Sequence, residues 1–187
     1  MQNDNVAVLS AAKEQGSFIR QAIWISVFAA LTAVGAQIEI PHQPVPYTLQ
    51  TLFVLLSGAL LGKRNGAISQ VAYLCAGIIG VPVFSGFGFG LARILGPSGG
   101  YLLSFPVAAF VVGYLLEQHQ NILRAAVAMT VGLFIVFSLG TLQLNFVYYH
   151  DWQASFVHGF MIFSWWDVMK LSAAVAMYRQ FSPRFSR

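Results

Sequence analysis

Residues 122–145 read ILRAAVAMTVGLFIVFSLGTLQLN, an apolar run of helical length with one formal charge, Arg124, near its start. The hydrocarbon core of a bilayer takes about 20 residues of helix, so this stretch alone is long enough to cross one. Working outward, five further apolar segments stand beside it. They run from Arg20 to Ile38, Thr48 to Gly62, Asn65 to Val81, Pro97 to Leu116 and Phe156 to Tyr178. The second and third are short for full spans. They are separated only by Gly62-Lys63-Arg64, which predicts a helical hairpin closed by a basic turn.

Composition agrees. Over the 187 residues, AVILMFWYC make up 57% and charged residues 9%, against roughly 25% charged in an ordinary soluble domain. Sixteen charges cannot cover a globule of this size with a polar skin. With a mean hydropathy of +0.69, the outer surface has to face lipid. Disorder is excluded by the same numbers, since it requires low hydrophobicity and high charge. The expected fold is therefore all-α, an integral membrane bundle of six helices. It divides into a tail (1–19), a membrane domain (20–179) and a second tail (180–187). No internal repeat is visible, so an inverted-repeat transporter is not indicated.

The basic residues set the expected orientation. With the N-terminus inside, Lys13, Arg20, Lys63, Arg64, Arg124, Arg179, Arg184 and Arg187 all fall on the cytoplasmic side, and Arg93 alone falls outside. That bias places both termini in the cytoplasm. It also explains the net charge of +4 by topology, so no nucleic-acid partner is expected. Tyr148, Tyr149 and Trp152 cluster where an outer aromatic belt would lie. Lys13 and Arg20 before a run ending Val34-Gly35-Ala36 look like a signal peptide, but the run is long for one and is read as a retained span.

Two ionisable residues lie inside a span: Asp167 and Lys170, three apart and so on one helical face. Intramembrane charges are costly and usually face a cavity. A self-neutralising pair that packs the bundle is one reading. The other is a ligand with a carboxylate at one end and N–H donors at the other, lysine suiting the first and aspartate the second. Arg93 is either a solvated loop arginine or an anion contact at the cavity mouth, since a guanidinium fork matches a carboxylate.

Other features carry less. Gly86-x-Gly88-x-Gly90 follows no strand and belongs to no βαβ unit, so it is not a nucleotide loop. Its glycines suit close packing over helices or a ligand. The loop from Glu39 to Tyr47 holds three prolines, Pro41, Pro44 and Pro46, and suits either a stiff lid or a tight connector. Ala29 and Ala33, and likewise Gly58 and Gly62, are small residues spaced by four, which permits close helix approach. Cys75 is a lone thiol in an apolar run and reads as packing. His42, His119, His150 and His158 lack ligand spacing, so neither a metal nor a cofactor is expected.

Three motifs then carry a resemblance. Val45-Pro46-Tyr47-Thr48-Leu49-Gln50-Thr51-Leu52-Phe53-Val54-Leu55-Leu56, Gly80-Val81-Pro82-Val83-Phe84 and Leu95-Gly96-Pro97-Ser98-Gly99-Gly100-Tyr101-Leu102 look like the BioY family of biotin transporters. The Asp167-x-x-Lys170 pair resembles that family's signature in its last helix, and the likeness extends from about Thr32 to Lys170. It implies a six-helix substrate-binding subunit of an energy-coupling factor (ECF) transporter that takes biotin from the outer side. In many species a transmembrane coupling protein and two ABC-type ATPases power such uptake. By similarity Asp167 and Lys170 would contact biotin, Arg93 is a further contact, and Ala29 and Ala33 would fall on the face that docks the coupling protein. Gln50, Tyr73 and Tyr101 are expected in the pocket lining. The chain departs from relatives at Phe87 and Phe89, where small residues are common. It carries no P-loop, so energy has to come from a partner.

Three other functions were weighed: a subunit for another vitamin, a membrane enzyme and a passive channel. In the enzyme Asp167 would be general base near His158, but nine helical residues put the two about 13 Å apart along the axis. The paired opposite charges and capped loops argue against the channel.

Overall fold

In a computed structural model, the structure describes residues 2–117, 121–161 and 165–185, with side chains described between 18 and 182. Lys13, Arg184, Arg187 and His119 therefore lie outside the described side chains. The elements in chain order are α1 (Gln2–Gln37), the short antiparallel strands β1 (Glu39–Ile40) and β2 (Tyr47–Thr48), then α2 (Gln50–Ile78). They continue with α3 (Leu91–Leu95), α4 (Gly99–Leu116), α5 (Ile122–Leu144), α6 (Trp152–Ser155) and α7 (Trp165–Phe185).

The hairpin expected around Gly62 is present. Gly62 takes φ 79° and ψ 175°, a conformation open to glycine alone at low cost, and it breaks α2 into two arms that fold back on each other. Gln70 donates to the Ser57 hydroxyl at 3.1 Å, and Gln50 donates to Tyr73 at 2.6 Å. Neither pair could meet along a straight helix at about 1.5 Å per residue. The first arm packs closely on α4, where a Cβ on Gly58 would collide with the Ala109 carbonyl and one on Gly113 with the backbone of Lys63. Small residues at such crossings let backbones approach, which in lipid supplies much of the packing energy.

A polar cluster sits inside the apolar core. The single O–H of Thr32 is shared between the Phe28 carbonyl at 2.9 Å and the Gln70 side-chain oxygen at 3.3 Å, and Gln70 donates in turn to Ser57 and Ser69, both at 3.1 Å. All four residues are fully buried, so the hydrogen bonds offset a desolvation that would otherwise oppose folding. Outward, the bundle shows Ile23, Val27, Val34, Val107, Phe110, Val127 and Phe134, a surface made for lipid tails.

Three details differ from the expectation. Among the described residues, only α1, α4 and the run from α5 to Tyr149 are each long and apolar enough to cross a membrane. A fourth crossing comes from counting the pair Trp152–Phe160 and Trp165–Ser182, bent by 46°, as one. The arms of α2 are short because Gly62 stops each of them, as their length in sequence foretold. The last segment is not one helix from Phe156. It enters through α6 and a π-helical turn, Phe156–Phe160, before α7 begins at Trp165. Finally, residues 2–19 continue α1, so the predicted start at Arg20 marks where the apolar run begins rather than where the helix does.

Candidate functional site

The starts of α2, α4 and α7 and the second half of α5 surround a cavity with about 70 Å³ of free space for water-sized contents. Its polar wall is built from α7 and the start of α2. Being three apart, Asp167 and Lys170 face the same way, and Lys170 Nζ lies 2.6 Å from Asp167 Oδ1 with both side chains at most 5% exposed. Lys170 also donates to the Thr48 backbone carbonyl at 3.1 Å, which ties α7 to β2. An ammonium has three N–H donors, and these two contacts use two of them.

From Thr48 the hydrogen bonds run on into the core. Its hydroxyl donates to Gln50 Oε1 at 2.7 Å, Gln50 Nε2 donates to the Tyr73 hydroxyl at 2.6 Å, and Tyr73 donates to the Val83 carbonyl at 3.1 Å. Gln50 thus lies in the cavity wall as expected, whereas Tyr73 does not line the cavity. It stands behind Gln50, 1% exposed, and holds it. The sequence shows Tyr73 as one more aromatic in an apolar helix; only the fold-back at Gly62 brings it to Gln50.

The apolar wall comes from Leu102, Phe105, Val136, Phe137 and Phe84. Tyr101 lines it as well and is fixed at both ends of its ring. Its hydroxyl donates to the Gly159 carbonyl at 2.9 Å, and its ring meets Phe137 edge-on at 6.3 Å. The ring lies where a Cβ on Gly140 would be, so that glycine is what lets α5 close on α4 here. Such a chamber, mostly apolar with a few placed polar groups, suits a small amphipathic molecule.

Arg93 stands at the mouth. It lines both the inner cavity and an outer recess formed with Glu39, His42, Pro44, Pro97 and Tyr148. The glycine-rich stretch explains its position: a Cβ on Gly88 would strike the guanidinium at Nε, so the arginine lies flat against bare backbone. Close packing over these glycines is thus seen, and what they admit is a side chain. Tyr47, from β2, lines the cavity too. Burial, and secondarily the charge of Asp167, hold its phenol above the ordinary range, so it remains a neutral hydroxyl.

Two covers close the cavity from outside, and both are fastened to the last turn of α1. Gln37 Nε2 donates to the Phe84 carbonyl at 3.0 Å while its Oε1 accepts from Phe87 N at 3.0 Å. At the other cover, Leu49 N donates to the carbonyls of Gly35 and Ile38 at 3.0 and 3.1 Å. Lower on α1, Ala29 and Ala33 are half-buried and packed against the core, while Ala30 and Val34 point outward. His158 stacks on Tyr149 at 5.3 Å and does not line the cavity, which leaves the enzyme alternative without its second group.

Sequence reasoning missed Thr48, which offers its backbone carbonyl to Lys170 and its hydroxyl to Gln50. It also missed Thr51, Ser85 and Ser98 in the wall, which look like any other small polar residue in a one-dimensional reading.

Comparison with known proteins places this arrangement. Residues 4–187 match the model of the BioY family. A protein named biotin transporter BioY from Thermotoga maritima is 42% identical over 156 residues, covering 83% of this chain and 92% of that one. A probable biotin transporter BioY from Pyrococcus horikoshii is 39% identical, covering 81% and 89%. Among solved structures, the S-component for biotin from an ECF-type ABC transporter superposes with a TM-score of 0.83 at 26% identity, over 92% of this chain and 98% of that one. An all-helical, multi-pass membrane architecture with a charged pair sunk beneath an arginine-guarded mouth, and matches along nearly its whole length, make this chain a member of the BioY family.

Proposed function

We propose that this chain is the biotin-binding membrane subunit of an energy-coupled uptake system, capturing biotin from the outer side. The observation that carries the reading is the Asp167–Lys170 pair, buried at 2.6 Å yet forming part of a cavity wall. Biotin has a ureido ring with two N–H donors, an apolar tail and a carboxylate. Asp167, ionised, only accepts hydrogen bonds and takes the ureido N–H groups. Lys170 has an N–H to spare for the ureido oxygen. Leu102, Phe105, Val136 and Phe137 bury the ring and tail, and Arg93 at the mouth pairs with the carboxylate. Gln50 and Tyr101 complete the wall, and Tyr73 holds Gln50 in place.

Orientation and partners belong to the same proposal. The basic residues put the ends of the chain, 1–19 and 180–187, in the cytoplasm around the membrane domain 20–179. A transmembrane coupling protein and two ABC-type ATPases supply the energy. The coupling protein docks along α1 at Ala29 and Ala33, reached at their half-exposed edges. The named relatives are biotin transporters and an ECF S-component, which supports this assignment.

The test is binding of labelled biotin to the purified chain, with other vitamins as competitors. Asp167→Asn and Lys170→Ala should each weaken binding by about 1–3 kcal/mol, or roughly fivefold to 150-fold, the cost of orphaning a hydrogen-bonded charged partner. Native affinity in both variants, or displacement of the label by a different vitamin at lower concentration than biotin, would refute the assignment.

A further inference from the structure

Buried serines and threonines in this bundle follow a pattern. Thr32 donates to the Phe28 carbonyl, Ser57 to Val54, Ser69 to Gly66 and Ser104 to Tyr101, each bonding back three or four residues along its own helix. Half-exposed or lipid-facing positions do the same, as Thr130 does to Ala126 and Ser172 to Val168. This is the ordinary way for a hydroxyl to be satisfied in an apolar helix.

Thr51 and Thr141 break the pattern, and of the two only Thr51 lines the cavity. The Thr51 hydroxyl is buried and has no hydrogen-bond partner among the described residues, and the residue is only 8% exposed. The carbonyl three residues back, that of Thr48, is the acceptor for Lys170. Thr51 also forms part of the cavity wall, three residues on from Thr48, in a wall that includes Asp167 and Lys170. An unpaired buried hydroxyl opposes folding, and a valine of the same shape would fill the position without that cost. At the cavity wall that cost is offset when a ligand atom accepts the hydroxyl's hydrogen.

We infer that Thr51 is a further ligand-contacting and specificity-determining residue, whose hydroxyl donates to the ureido oxygen at the buried end of the ligand. The inference rests on the biotin reading above. The assignment of the oxygen follows from elimination within the wall. Asp167 only accepts and so takes the N–H edge. The carbonyl between those N–H groups faces donors, of which Lys170 has one uncommitted N–H and Thr51 has its hydroxyl. Two donors match the two lone pairs of one carbonyl oxygen.

The experiment compares the native chain with Thr51→Val and Thr51→Ser. It measures affinity for biotin, affinity for biotin methyl ester, and thermal stability of the ligand-free protein. Thr51→Val should lose about tenfold in affinity for both ligands, since the altered contact is at the ureido end. It should melt no lower than the native chain without ligand. Thr51→Ser, which keeps the hydroxyl, should stay within about threefold of native affinity. Native-like affinity in Thr51→Val would overturn the inference while leaving the biotin reading intact. An equal loss in both variants together with a lowered melting temperature would overturn it too, by making Thr51 a packing residue. Failure of the native chain to hold biotin would instead remove the reading on which the inference stands.

Discussion

Replacing Lys170 by methionine removes the ammonium while keeping most of the side chain's length. The structure allows the penalty to be bracketed. At 2.6 Å and an effective dielectric constant of 20, the attraction lost is about 6 kcal/mol, part of which only offset the desolvation of the two groups. Breaking a buried pair from one side typically costs about 3–5 kcal/mol, because the remaining charge is left uncompensated. The expected destabilisation is therefore about 3–5 kcal/mol, a fall in melting temperature of roughly 6–20 °C for a chain of this length. Adding Asp167→Asn to Lys170→Met removes the stranded charge and should restore at least half of the loss, while biotin binding stays weakened. The assay is thermal unfolding of the ligand-free protein in detergent, run beside a binding measurement. Melting of Lys170→Met within about 2 °C of the native chain, or of the double variant as low as the single one, would refute the idea that these charges hold each other.

Two further outcomes follow from the glycines. Gly88→Ala should push the Arg93 guanidinium off its bare backbone seat, reproducing much of the affinity loss of Arg93→Ala with little change in stability; equal affinity in Gly88→Ala and the native chain would detach Arg93 from the mouth. Gly58→Ala, far from the cavity, should separate the first arm of α2 from Ala109 and cost about 1–3 kcal/mol by overpacking, measured as a lowered melting temperature; a neutral result would mean the crossing is looser than the structure has it.

The bilayer imposes a length rule strong enough for the helical class, the fold-back at Gly62-Lys63-Arg64 and most segment boundaries to be legible in one dimension. Asp167 and Lys170 were legible for the same reason, since charge is conspicuous in oil. The remainder of the site was hidden because its logic is three-dimensional. Gln50 and Tyr73 are 23 residues apart and meet only once α2 has doubled back. Thr48 meets Lys170, 122 residues away, through its backbone carbonyl. The facing of α1 was illegible for a different reason: a helix apolar on every side gives no periodic contrast between neighbour and lipid. Ala29 and Ala33 read the same as Ala30 until the bundle is built, and only then is it clear that the first two lean inward. The broken entry to α7 was equally unmarked, because apolar residues continue through the π-helical turn.

The last turn of α1 acts as a single mooring for both flaps of the chamber. Gln37 holds one and the carbonyls of Gly35 and Ile38 hold the other. Only 17% of this helix's apolar window is buried, and Val34 and Ile38 sit among those same ties with roughly half their surface turned to the hydrocarbon. A displacement of α1 within the membrane would thus be felt by both flaps at once, so the two covers of the cavity are coupled to each other through one helix end.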